Sequence, residues 1–519
     1  MELIKNHMRV LKRENETTNQ FTMEEDYNVP DQKPDVGRII QYDGKIQVDE
    51  VKASDSKVHV TGYLCFKLLY VIDHENGKID SLEGQISLHE VVNLDGITSG
   101  DKICLKWEIE DLNIQLIHSR KLTIRSLVTF LVMQEKERNI AIPVELRDEN
   151  VSMKKEEKKV LGLHVHNRDT IRIREEYNLS SNKPDIRTIL WDCVDVRCVD
   201  VRAESGYAMI KGELFIFVLY EDENDSDTLQ WLEYSIPFQK ELICEACEEH
   251  MIPDLDLTIL SAQLTVQPDA DGEERVILND IVLESDLKVY YEETQDILLD
   301  VYHPARAYVP VCRQECLEQL LVKNYAKCRV QERINIGEQS GRILQICHSD
   351  GKVHIEDSHM VDQGLFVEGY VGIRILYITG EDDMPFYSTE TDVPFSMIVE
   401  VPEKHADCIW HLHTDLEQLS TTMADGTDIE VKALINLNAM VLCQSQMCLM
   451  ETVEVQEPDW EKIKQMPGIV GYVVKQGDTL WDIAKMYYTS IETIQQINGL
   501  DGEEIKPKDT LLLVKDIEY

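Results

Sequence analysis

The chain has 519 residues, 43% hydrophobic and 29% charged, which describes globular material long enough for three or four domains. Its 97 aspartates and glutamates outnumber 52 lysines and arginines, for a formal charge of −45. Such a field argues against nucleic acid and anionic lipid headgroups as partners and favours basic ones.

The N-terminus, Met1-Glu2-Leu3-Ile4-Lys5-Asn6-His7, has no apolar signal core and no small-residue cleavage site, so a cytoplasmic setting is expected. No apolar run approaches membrane-spanning length; Leu214 to Tyr220 is among the longest and reads as a strand. From there the chain repeats itself. Residues 20–35, ending Lys33-Pro34-Asp35, run parallel to 170–185, ending Lys183-Pro184-Asp185, a shift of 150. Thr61-Gly62 to Tyr70 matches Lys211-Gly212 to Tyr220, and a third copy, Glu368-Gly369 to Tyr377, follows 157 residues later. The third copy departs from the pattern near Gly341, where Lys-Pro-Asp is missing.

Within each copy the apolar period is two, as in Lys57 to Val71, Tyr207 to Leu219 and Leu255 to Val266. Turn-formers such as Asp43-Gly44 and Asp271-Gly272 separate the pieces, and Leu122 to Met133, Ile281 to Tyr291 and Val431 to Val441 close the units. A mainly β chain of three sandwich-like domains is expected: 1–150, 151–307 and 308–457. The charged run Lys154 to Lys159 reads as a separator, and Pro310 to Lys327 as a short helix opening the third unit. Glu25, Glu175 and Glu332, like Asn28, Asn178 and Asn335, recur at the repeat spacing. Strand-ending turns account for the asparagines more simply than a shared binding surface. Tyr70, Tyr220 and Tyr377 read as core.

After a linker, 458–469, residues 470–519 change character. Tyr472 to Val474 is a short strand, and Gly477-Asp478 a turn. Thr479 stands as N-cap with Asp482 three residues on, and Leu480, Ile483, Ala484 and Tyr487 follow at helical spacing. Ser490 caps a second helix that Asn498-Gly499 ends, and Pro507 precedes a closing strand. The Gly-Asp-Thr-Leu, Trp-x-Ile-Ala, Asn-x-Leu and Ile-x-Pro elements resemble a LysM module, a small α+β (βααβ) fold. That resemblance implies a shallow groove for N-acetylglucosamine-containing glycan. Its residues here would be Gly477, Asp478, Thr479, Leu480, Trp481, Asn498, Gly499, Leu500, Ile505, Lys506 and Pro507.

Three β-rich repeats followed by one LysM module resemble the SipL and SpoVID-type spore coat morphogenetic proteins, whose repeats are of the SPOCS kind. The resemblance implies a non-enzymatic scaffold in the mother cell at the forespore surface. It would be an extended, multivalent acidic body with the LysM module docking to a SpoIVA-like coat ATPase and with other coat proteins as partners. The alternative is an intracellular binder of peptidoglycan or N-acetylglucosamine oligomers.

No catalytic set, metal site or cofactor is expected. Gly37 to Lys45 lacks phosphate-loop spacing, His89-Glu90 lacks a second histidine, and Gly96 to Gly100 places its serine one position late for a nucleophile elbow. Cys244-x-x-Cys247-x-x-His250 has ligand spacing without a second pair, and His411-x-His413 suits a packing role on a strand. Thirteen scattered cysteines fit a reducing compartment.

Overall fold

The computed structural model describes residues 1–515 except 76, 226–227, 304–305, 337–341, 382, 403–406, 458–460 and 462–464. The expected departure at Gly341 and half of the linker 458–469 lie outside these. The first unit has six strands: β1 (Glu2–Asn28), β2 (Val36–Ser54), β3 (Lys57–Ile72), β4 (Ile79–Asn93), β5 (Lys102–His118) and β6 (Lys121–Arg147). The second repeats them as β7 (Ser152–Asn178), β8 (Ile186–Glu204), β9 (Tyr207–Asp222), β10 (Leu229–Ile243), β11 (Ile252–Pro268) and β12 (Glu274–Tyr302). The third follows as β13 (Ala307–Asn335), β14 (Gln345–Val361), β15 (Gly364–Ile378), β16 (Phe386–Glu400), β17 (Cys408–Met423) and β18 (Asp428–Gln456).

Each unit is two antiparallel three-stranded sheets, β2-β3-β4 and β1-β6-β5 in the first, and their equivalents in the others. The alternating apolar residues close one sheet on the other, as with Leu64, Leu68 and Tyr70 against Ile124, Val128 and Phe130. The sandwich expectation therefore holds. Asn28, Asn178 and Asn335 each end their strand. The repeated glycine has a steric cause: a Cβ on Gly62 or Gly369 would lie 2.0 Å from the carbonyl of Gln47 or His354 on the neighbouring strand. Tyr70 and Tyr220 are buried, and their hydroxyls donate to the Pro34 and Pro184 carbonyls at 3.3 and 3.2 Å, clamping the Lys-Pro-Asp turns from beneath.

Three expectations are corrected. Asp43-Gly44 lies inside β2 rather than in a turn, because the strand runs on to pair with β3. Pro310 to Lys327 is β13, not helix: pairing along the whole of β18 overrides the helix-forming residues Leu317 to Leu321. Lys154 to Lys159 is not a separator but part of β7, bonded to β12 from Asp300 to Thr294.

The last two corrections share one origin. The strands β1, β6, β7, β12, β13 and β18 are twice the length their sheets require. At Asn15, His164 and Leu321, equivalent positions in the three units, a bulge bends the strand out of its sheet. Beyond it the pairs continue as two-stranded ribbons, residues 2–14 with 134–147, 152–163 with 290–302, and 307–320 with 442–456. An isolated two-stranded ribbon is marginal in water. Here the three pack on one another, with Met8 and Ile142 of the first, Val160 and Ile297 of the second and Leu317 and Leu449 of the third in one core.

The sandwiches also touch, through one repeated position. Lys67 reaches the Trp191 ring at 4.5 Å and Asp192 at 3.6 Å. Its second-unit counterpart Phe217 stacks on His348 at 3.9 Å. The third counterpart, Arg374, donates to the Tyr42 carbonyl at 2.6 Å and to Asp43 at 3.3 Å. First touches second, second touches third, and third touches first. The units form a closed ring, not the extended body the linear repeat suggested.

The chain ends in β19 (Ile469–Val473), α1 (Leu480–Tyr487), α2 (Ile491–Asn498) and β20 (Thr510–Val514), with β19 antiparallel to β20. The βααβ expectation holds.

Candidate functional site

The C-terminal module is built by its turns. Thr479 accepts from the Asp482 backbone N–H at 3.2 Å and Ser490 from that of Thr493 at 3.0 Å, starting the two helices as their sequence signals require. Gly477 at φ +93° and Gly499 at φ +64° take left-handed conformations where a side chain would strain the backbone. Asp478 accepts from the Tyr472 hydroxyl at 2.6 Å and the Lys475 backbone at 2.9 Å; these bonds hold its carboxyl below the ordinary range. The Asn498 side chain donates to the Ile494 and Leu512 carbonyls and accepts from the Leu512 N–H at 2.7 Å, tying α2 to β20.

The eleven residues assigned to the groove from sequence thus divide. Leu480 is buried inside the module, Asp478 and Asn498 are half-buried and held by their hydrogen bonds, Leu500 and Ile505 pack against its core, and Thr479 is exposed while it caps α1. Gly477, Gly499, Lys506 and Pro507 are exposed on the loops at the ends of the strands.

Trp481 is different. It is only 7% exposed, and its indole N–H donates to Asp300 on β12 at 2.8 Å. Lys485, one turn along α1, donates to both oxygens of that carboxylate at 2.8 Å. Tyr302 sets its ring edge-on against Trp481, centroids 4.8 Å apart, and its hydroxyl donates to the Thr489 carbonyl at 2.9 Å. One face of α1 therefore docks on the end of the second ribbon, and Tyr302 joins the module's own core. Sequence reading missed Asp300 and Tyr302; the module's spacing carries no information about a strand nearly 180 residues away.

The family model described as "SipL, SPOCS domain" matches residues 35–117, 185–267 and 342–424, and that of the LysM domain matches 472–514. The chain carries three SPOCS domains of the SipL kind and a C-terminal LysM domain. The three matched stretches fall on β2–β5, β8–β11 and β14–β17, so the long strands that form the ribbons lie mostly outside them. No curated protein and no solved structure matches this chain. The SipL family belongs to a sporulation and spore-coat context, and SPOCS and LysM are binding domains without catalytic function.

Among the described residues, charged side chains at the seams pair with one another. Glu135, His166 and Asp286 lie close enough to share an ion, but the Lys288 ammonium already stands between them, 2.9 Å from Glu135 and 3.6 Å from Asp286. Burial would lower the Lys288 pKa; the Glu135 carboxylate outweighs it and raises it. Cys244 and Cys247 are buried in a turn, while His250 is exposed and 3.3 Å from Glu248. His411 and His413 bridge two units: Asp254 takes contacts at 3.3 and 2.7 Å, and Asp256 meets His413 at 2.9 Å. Burial works against the His413 charge, yet the two aspartates raise its pKa to about 9. Among the described residues, no helix is long and apolar enough to cross a membrane.

Proposed function

We propose that the chain is a non-enzymatic scaffold for spore coat assembly that docks through its LysM module to a SpoIVA-like coat ATPase. On this reading it works in the mother-cell cytoplasm, at the forespore surface. Its domains are taken as 1–150, 151–307 and 308–457, with the module at 470–519. The observation that carries the reading is the orientation of the module. Its α1 face is committed to Asp300 and Tyr302, and the loops bearing Gly477, Gly499, Lys506 and Pro507 face solvent. A module fixed to a rigid ring presents those loops in one direction, which suits assembly into a layer.

The exposure of the same loops also supports a second reading, an intracellular binder of N-acetylglucosamine oligomers. Titrating the full chain against purified ATPase and, in parallel, against such oligomers separates the two. The scaffold reading expects ATPase binding without sugar binding, weakened by Lys506→Glu at an unchanged melting temperature. Binding to sugar alone would overturn it in favour of the second.

A further inference from the structure

The third ribbon carries a feature that its two counterparts lack. In β13 and β18 the register pairs Gln314 with Cys448 and Cys312 with Met450, so Cys312 and Cys448 are diagonal neighbours. Both lie on the outward face: Glu315, Leu317, Met447 and Leu449 point into the ribbon core, and Cys312, Gln314 and Cys448 alternate with them toward solvent. The Cys448 thiol lies close enough to Cys312 to raise its pKa. The equivalent strands of the first unit hold Lys5 and Ala141 there, so the repeat does not require cysteine.

Two other pairs exist and suit reaction less well. Cys408 stands opposite Cys443 across β17 and β18, each half-buried. Cys244 and Cys247 are 1% and 2% exposed, sealed in the second unit's core. Reaction with a reagent in solution needs access as well as proximity.

We propose that Cys312 and Cys448 form a dithiol site that small-molecule disulfides of the glutathione type oxidise to an intramolecular disulfide. One of the two thiolates attacks a sulfur of oxidised glutathione; the reagent's S–S bond breaks and one glutathione thiolate leaves. The second cysteine, as thiolate, displaces the remaining glutathione. Two protein thiols have then lost two electrons and two protons, and one glutathione disulfide has become two glutathione thiols. The product links β13 to β18 in the ribbon beside Asp300, the carboxylate that holds the LysM module. Burial and the neighbouring thiol push the Cys312 thiol up, so the reaction quickens as pH rises.

The test incubates the full chain with oxidised glutathione at pH 7 and pH 8.5, blocks free thiols with N-ethylmaleimide and maps the peptides by mass. The expected result is a Cys312–Cys448 linked pair, forming several-fold faster at the higher pH, while Cys244 and Cys247 remain unlinked. In the Cys448→Ser chain Cys312 should stop at a single glutathione adduct, and the melting temperature of the unoxidised variant shows whether the fold is kept. Separate glutathione adducts on Cys312 and Cys448 in the unaltered chain, or both thiols recovered only as maleimide adducts, would overturn the proposal. Neither result depends on which partner the LysM module binds.

Discussion

The sandwiches and the ribbons are made of the same strands and are stabilised in different ways. A sandwich buries its apolar face within its own unit: Phe130 and Leu64 lie in a core drawn from the first unit alone. A ribbon cannot do this. Ile297 is buried only because residues of the first and third units cover it. The SPOCS units therefore fold as individuals at one end of their long strands and as a trio at the other. A repeat in sequence need not be a bead on a string.

The largest effect that would break this comparison is at the buried Lys288–Glu135 pair between the first and second units, side chains 5% and 2% exposed. Lys288→Met should cost about 3–5 kcal/mol by leaving the buried Glu135 with only Arg13, 3.8 Å away, as an ion-pair partner, and adding Glu135→Leu should restore most of it. Denaturant melts of the single and double variants check both steps. Next comes Ile297→Ala, at about 2–4 kcal/mol. Hydrogen exchange should rise in all three ribbons, whereas Ile124→Ala, equally buried, should loosen its own sandwich first. If exchange after Ile297→Ala rose in β7 and β12 alone, the shared core would be unimportant.

Smaller again is Asp300→Asn, which weakens the hold on Lys485 and Trp481 by about 1–3 kcal/mol. Faster exchange in α1 and a brighter solvent signal from Trp481 fluorescence, with the ring unchanged, are expected. The smallest effect is with pH. His413 is raised from its ordinary 6.5 to about 9 in the folded state, so its contribution is complete below 6.5 and is lost as pH climbs through 9. Melts at pH 7 and pH 10 should differ less for His413→Gln than for the unaltered chain.

How much of this was legible follows from where each signal resides. Period-two alternation is local, so the sandwiches could be read from Tyr207 to Leu219 and their like. The LysM caps were equally plain, since Thr479 and Asp482 meet within one turn. The ribbon strands hid because half of each faces solvent: Lys154 to Lys159 looks like a separator until its partner strand is known. The helix expected over Pro310 to Lys327 failed for the same reason. In the candidate site, the turn glycines and caps were visible, but the role of Trp481 depends on Asp300 and Tyr302, which no motif announces.

That docking has a mechanical consequence. The LysM module follows the third unit in the chain yet rests on the second, so the polypeptide crosses a boundary between units to reach its seat. It acts as a clasp. Because the tether is short, the freed module remains near its seat and re-engages as an intramolecular event. A force that pulled on the module would first have to undo its contacts with Asp300 and Tyr302 before it could part the module from the second unit, so the load falls on a single hook of four side chains rather than on the sheets themselves.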